Sequence, residues 1–192
     1  NNIVLQSGNL DGVAIDPGHT TVLMDANPSC PPDARYKALV RSAAKGVVGL
    51  HVLKSADGFH FKPLTDKLII TDGNFDSENL AFWDSVRGEY RAYFRDFYKG
   101  LPGSGVRGIK TATSDDFIHW TKGEWLKYPG SQDVHLYTNQ VAPYARAPHI
   151  FLGFPMRYID RGWVHSTGQL PELEERRART NASPRYGLSL IH

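Results

Sequence analysis

The chain carries a single cysteine, so no intrachain disulfide can form. Cys30 lies in the stiff run Pro28-Ser29-Cys30-Pro31-Pro32 and reads as a structural thiol rather than a nucleophile. No apolar run approaches the roughly 20 residues that cross a bilayer as a helix, so no membrane partner is expected. Net charge is only +2 and the lysines and arginines are scattered, which argues against nucleic acid as a partner. The eight histidines form no His-x-x-x-His motif and no loop is rich in carboxylates, so no metal set is read. Gly103-Ser104-Gly105 lacks the Lys-Ser/Thr that would follow in a phosphate loop.

What is present is a repeated phrase. Ser55-Ala56-Asp57-Gly58-Phe59-His60-Phe61 returns 59 residues later as Ser114-Asp115-Asp116-Phe117-Ile118-His119-Trp120. Each copy follows an alternating run, Leu50 to Lys54 and Ile109 to Thr113. Self-similarity at this period, with 18 glycines and 12 prolines for turns, predicts an all-β fold of the β-propeller type. The aspartate of each phrase is expected to accept backbone N–H groups, locking the turn. His60 and His119 fill equivalent slots and read as structural.

The expected blades have four antiparallel strands each. Blade 1 spans about residues 19–66, with strands at Thr20–Met24, Arg35–Val40, Gly49–Lys54 and Phe59–Leu64. Blade 2 spans about 75–126, with strands at Leu80–Asp84, Glu89–Arg95, Gly108–Ser114 and His119–Gly123. A partial blade 3, about 133–192, is read from Val134–Val141, His149–Tyr158 and Tyr186–Ile191, with a helix at Leu170–Arg179 inserted in a loop. The whole chain is thus one domain of about two and a half blades. The termini read as cut, so a fragment is expected and localisation is unreadable. Open blade edges and uncovered blade faces predict a homo-oligomer.

In such a blade the start of strand one and the end of strand two share one mouth. That geometry selects Asp76, Glu78 and Asn79 on one side and Arg95 and Asp96 on the other, among Phe75, Trp83, Phe94 and Phe97. In blade 1 it selects His19, Thr20, Val40 and Arg41; in blade 3 it selects His135, Tyr137, Arg157 and Tyr158. Paired carboxylates suit glycoside hydrolysis, and aromatic faces suit sugar stacking. The expectation is therefore Asp76 and Asp96 as the acid pair, with Glu78 a further candidate for general acid. Asn79, Trp83, Arg95, Tyr137, His149 and Arg157 would bind an oligo- or polysaccharide. No redox cofactor is expected, and a structural cation in the channel stays open.

The repeated Ser-x-Asp phrase, with Tyr93-Phe94-Arg95-Asp96 in the second strand, resembles the five-bladed propeller glycoside hydrolases of families 32, 43 and 117 and their uncharacterised relatives. The resemblance covers most of Val22 to Tyr158. It implies a five-bladed fold, and for Asp96 the role of transition-state stabiliser. The Asn-Asp-Pro-Asn and Glu-Cys motifs of family 32 are absent. The function expected on these grounds is a glycoside hydrolase, with a non-catalytic carbohydrate-binding or assembly module as the alternative.

Overall fold

A computed structural model of the chain describes residues 3–101, 104–159, 164–181 and 190–191. Among these residues it is all-β apart from two short 3-10 turns and one helix. The first sheet runs in the order β1 (Gly8–Leu10), β2 (Val13–Met24), β3 (Tyr36–Ala44), β4 (Val47–Ser55) and β5 (Lys62–Pro63). The second repeats the meander with β6 (Leu80–Asp84), β7 (Glu89–Tyr98), β8 (Val106–Ser114) and β9 (Glu124–Trp125). The third unit comprises β10 (His135–Leu136), the hairpin β11 (Ala142–Tyr144) and β12 (Ala147–Leu152), then β13 (Arg157–Ile159). Helix α1 (Leu173–Asn181) follows, and β14 (Leu190–Ile191) pairs back on β13. Among the described residues all pairings are antiparallel and no sheet closes on itself.

Most predicted strands are present with revised limits, but none forms at His119–Gly123, where the outer strand follows instead as β9. The first sheet gains β1, and β2 begins at Val13 rather than Thr20, bulging between Asp16 and Thr21. The two strands expected in the third unit are broken in the middle, giving β10 with β13 at one end and β11 with β12 at the other. The expected helix starts three residues later than predicted, because Glu172 takes φ +57°, outside the helical range. Of the strand expected at Tyr186–Ile191, residues 186–189 lie outside the described set.

The outer strands are the shortest, and the repeated phrase is the reason. Ser55 Oγ accepts from the Gly58 N–H at 3.0 Å, and Asp57 Oδ1 accepts from the Phe59 and His60 N–H groups, each at 2.9 Å. Ser114 and Asp116 do the same to Phe117, Ile118 and His119 at 2.7 to 2.9 Å. Donors captured by a carboxylate cannot join a ladder, so pairing starts only at Lys62 and Glu124. The histidines close each lock through Nδ1 to the aspartate Oδ2, at 2.7 and 2.6 Å. The two turns differ at one place. Gly58 takes φ +80° freely, whereas Phe117 holds φ +68° with its ring fully buried against Tyr90 and Trp120.

The first two sheets pack face to face over Leu39, Leu50, Val52, Phe75, Phe94 and Phe117. A polar knot crosses the same seam. Tyr90 from the second sheet donates to Asp25 of the first at 2.7 Å, Asn27 Nδ2 donates to the Tyr90 hydroxyl at 3.0 Å, and buried Lys37 pairs with Asp25. Burial pushes the Asp25 carboxyl up, but bonds from Lys37, the Asn27 N–H and Tyr90 hold it below its ordinary value. Lys37 also donates to Cys30 Sγ at 3.4 Å, and the thiol bonds the Ala34 carbonyl at 3.3 Å. Burial raises its pKa, consistent with a structural thiol.

The locks make stability depend on acid. Hydrogen bonds hold Asp57 well below the usual carboxylate range, its His60 partner being the strongest; Asp116 lies equally low because bonds led by the His119 N–H outweigh burial. A depressed folded-state pKa gives stability that is complete above the unfolded value near about 4 and is lost as pH falls below it. Denaturant melts from pH 5 down to pH 2.5 should therefore show an acid loss that shrinks in Asp57→Asn/Asp116→Asn, which keeps one acceptor oxygen in each turn for the backbone N–H groups. An unchanged acid limb in that variant would refute the assignment.

Candidate functional site

The site is built by one strained turn. Phe75 adopts φ +57° while its ring is fully buried 5.4 Å from Phe94, so the backbone turns sharply just before Asp76. Asn79 stabilises the turn from inside, its Nδ2 donating to the carbonyls of Phe75 and Ser77 at 3.1 and 2.8 Å. Asp76 then meets Arg95, whose side chain is only 5% exposed. Arg95 Nε donates to Asp76 Oδ1 at 2.9 Å, Nη2 to the Asp76 carbonyl at 2.6 Å and Nη1 to the Tyr137 carbonyl at 3.4 Å. The guanidinium also lies 4.9 Å from the Tyr137 ring centre. Burial draws its pKa down and the Asp76 charge opposes that.

The first sheet carries the same device. Ser55 stands opposite Tyr36 and Ser114 opposite Tyr90, so by register Arg41 corresponds to Arg95. Arg41 Nη1 bonds Asp16 Oδ2 at 3.1 Å, as Arg95 bonds Asp76. Each arginine near the end of a second strand thus holds an aspartate near the start of a first strand.

These starts converge on a polar pocket of about 330 Å³ lined by Gly18, His19, Thr20, Thr21, Asp76, Ser77, Glu78 and Tyr137. Segments of all three units contribute. Ser77 Oγ donates to the Tyr137 carbonyl at 2.6 Å, and Glu78 Oε2 accepts from the Gln140 N–H at 3.0 Å. Among the described residues His19 Nδ1, Thr20 Oγ1 and Arg41 Nε are buried atoms without a hydrogen-bond partner. His19 Nδ1 lies 3.7 Å from Asp16, too far for a hydrogen bond. Groups of this kind around a concave site are ready to receive hydroxyls.

Of the expected site residues, Asp76, Glu78 and Tyr137 line this pocket and Arg95 supports it. Asn79 is fully buried and braces the turn instead of facing a ligand. Asp96 does not join Asp76. Neighbouring residues of a strand point to opposite faces, and Asp96 pairs with Lys110 at 2.8 Å on the face away from Arg95. Trp83 sits at the far end of β6, its ring 4.8 Å from Tyr90 against the core. His149 is exposed on β12 near the distal turn of the hairpin, and Arg157 is exposed beside the buried Tyr158; neither lines the pocket. His19, Thr20 and Arg41 were marked only by blade geometry, while Asp16 carried no signal because the bulge in β2 hides its register.

No group of three or more His, Cys, Asp or Glu residues suited to a metal ion occurs among the described residues. No protein-family model matches the chain, and no curated protein is similar to it.

Arg95→Lys should reveal how much the bracket contributes. One ammonium cannot reach the Asp76 carboxylate, the Asp76 carbonyl and the Tyr137 carbonyl together. Urea melts should show a loss of about 1–3 kcal/mol; wild-type stability would mean that the bracket is incidental.

Proposed function

We propose that the chain is part of a β-propeller glycoside hydrolase, with its chemistry at the pocket where the three units meet. The antiparallel four-stranded meanders, their shared core and the resemblance of the repeated phrase support the propeller reading. The observation that carries the reaction is the pair of carboxylates, Asp76 and Glu78, among the hydroxyls of Thr20, Thr21 and Ser77. Asp76, beside a guanidinium, takes the part of carboxylate base, and Glu78 that of proton donor. His19 and Tyr137 supply contacts to sugar hydroxyls and to a ring face. Asp96 leaves the scheme, since Lys110 engages it on the other face of β7.

A panel of aryl glycosides tests this. At least one should be hydrolysed, and Glu78→Gln should lower kcat by about 10²–10⁴-fold at unchanged thermal midpoint. Asp96→Asn should leave kcat as it is. Saturable sugar binding without release of the chromophore would instead favour a binding module. That reading draws on Glu78 being engaged by backbone N–H groups and Asp76 by Arg95.

The homo-oligomer belongs to the same proposal. Ile150, Leu152 and Phe154 form an exposed apolar stripe on the third unit, 40 to 67% accessible. Sedimentation over a wide concentration range should show association, weakened in Phe154→Ser. A monomer throughout would remove this part of the proposal.

A further inference from the structure

The chain crosses from one sheet to the next twice, and the register makes the crossings comparable. In the first, the Ile69 N–H donates to the Leu50 carbonyl and the Leu50 N–H to the Ile70 carbonyl, each at 2.8 Å. Ile69, Ile70 and, a few residues on, Phe75 are buried in the shared core. In the second, the Leu126 N–H donates to the Ile109 carbonyl at 2.9 Å. Leu50 stands opposite Arg41 and Ile109 opposite Arg95, so the two crossings start alike. They then part, because Lys127 follows where Ile70 follows Ile69, and both Lys127 and Tyr128 are exposed.

The second crossing therefore encloses a cleft of about 640 Å³, within the range of small-molecule sites. Its walls are mostly carbon, from Tyr98, Ile109, Trp125, Tyr128, Leu136 and Pro155. Gly108 forms a flat patch of wall, where a Cβ would come within 2.9 Å of both the Tyr98 and Trp125 rings. Those rings meet edge to face at 5.3 Å. The carboxylate at the rim, Asp133, is engaged by the Tyr98 hydroxyl at 3.1 Å and by Lys99.

We infer that this cleft binds a small molecule through a flat aromatic ring, which takes the place that the chain's own Ile70 and Phe75 fill at the first crossing. The walls supply ring edges and faces for offset and perpendicular contacts; of the charged lining groups, Asp133 is engaged by Tyr98 and Lys99, Arg107 lies 4.3 Å from the Tyr158 ring centre, and Lys127 is exposed. The inference does not rest on the hydrolase reading, because β10 presents Leu136 to this cleft and the next residue, Tyr137, to the polar pocket.

Indole is the probe. Ligand-detected saturation-transfer NMR should show saturable binding to the wild-type chain. Tyr128→Ala should weaken it by about two- to tenfold, the range of one aromatic contact. Ser131→Trp, a change at an exposed rim position, should abolish it by laying a ring over the opening. Tyr144→Ala, on the distant hairpin, should leave it unchanged. Non-saturable binding, or full affinity in both cleft variants at wild-type thermal midpoints, would overturn the assignment. So would an affinity that falls as protein concentration rises, which would mean that a second copy covers the cleft.

Discussion

A buried arginine imposes obligations that the rest of the chain must meet. Its guanidinium carries five N–H donors and cannot give up its charge in a protein. Arg95 is placed inside by the alternation of β7, whose neighbouring side chains Phe94 and Asp96 face the other sheet. Acceptors must then come to it, and they come from the turn at Phe75–Asp76 and from Tyr137. Drawing those two segments together joins the second and third units at one end of their first strands. The polar pocket is what this convergence leaves between them.

The seam between the first two sheets follows a second rule. A carboxylate, an ammonium and a phenol meet there in a mainly apolar interface, the ammonium and the phenol both bonded to the carboxylate. Burial and the bond to Asp25 drive the Tyr90 hydroxyl well above its ordinary pKa, with Asn27 opposing. The phenol remains a donor and orients Asp25 toward Lys37. An apolar seam would tolerate sliding of one sheet over the other, whereas this knot permits one alignment.

Much of this was legible in the sequence. The spacing of the Ser-x-Asp phrases located two meanders, and the idea that first-strand starts meet second-strand ends found His19, Asp76, Glu78 and Tyr137. The failures have a common source. Arg95 and Asp96 are consecutive in a strand, and period-two alternation sends them to opposite faces, so they cannot both serve one site. Reading position along the strand without the face selected Asp96, reading aromatic character without position selected Trp83, and the strand-end rule applied to the third unit selected Arg157, which is exposed there. His149 was misplaced because the third unit's strands break at residues 137–141 and 153–156, shifting β12 to the distal end. Asp16 lay beyond reach, since a bulge changes the count by which Arg41 would have found it.

The first sheet has a second core on its outer side. There Leu5 and Leu10 pack over Val13, Ala38, Val40 and Leu53, so that face is already covered by the chain itself. At the opposite side of the stack Phe151 turns inward, 5.3 Å from Phe82, and its neighbours Ile150 and Leu152 turn outward. Among the described residues, one side of the stack is thus covered and the other is bare. Copies that met through bare ends would join like to like about a two-fold axis, and the covered ends would stop any further growth. Under the proposed self-association, such a layout would permit a closed pair and disfavour an open filament.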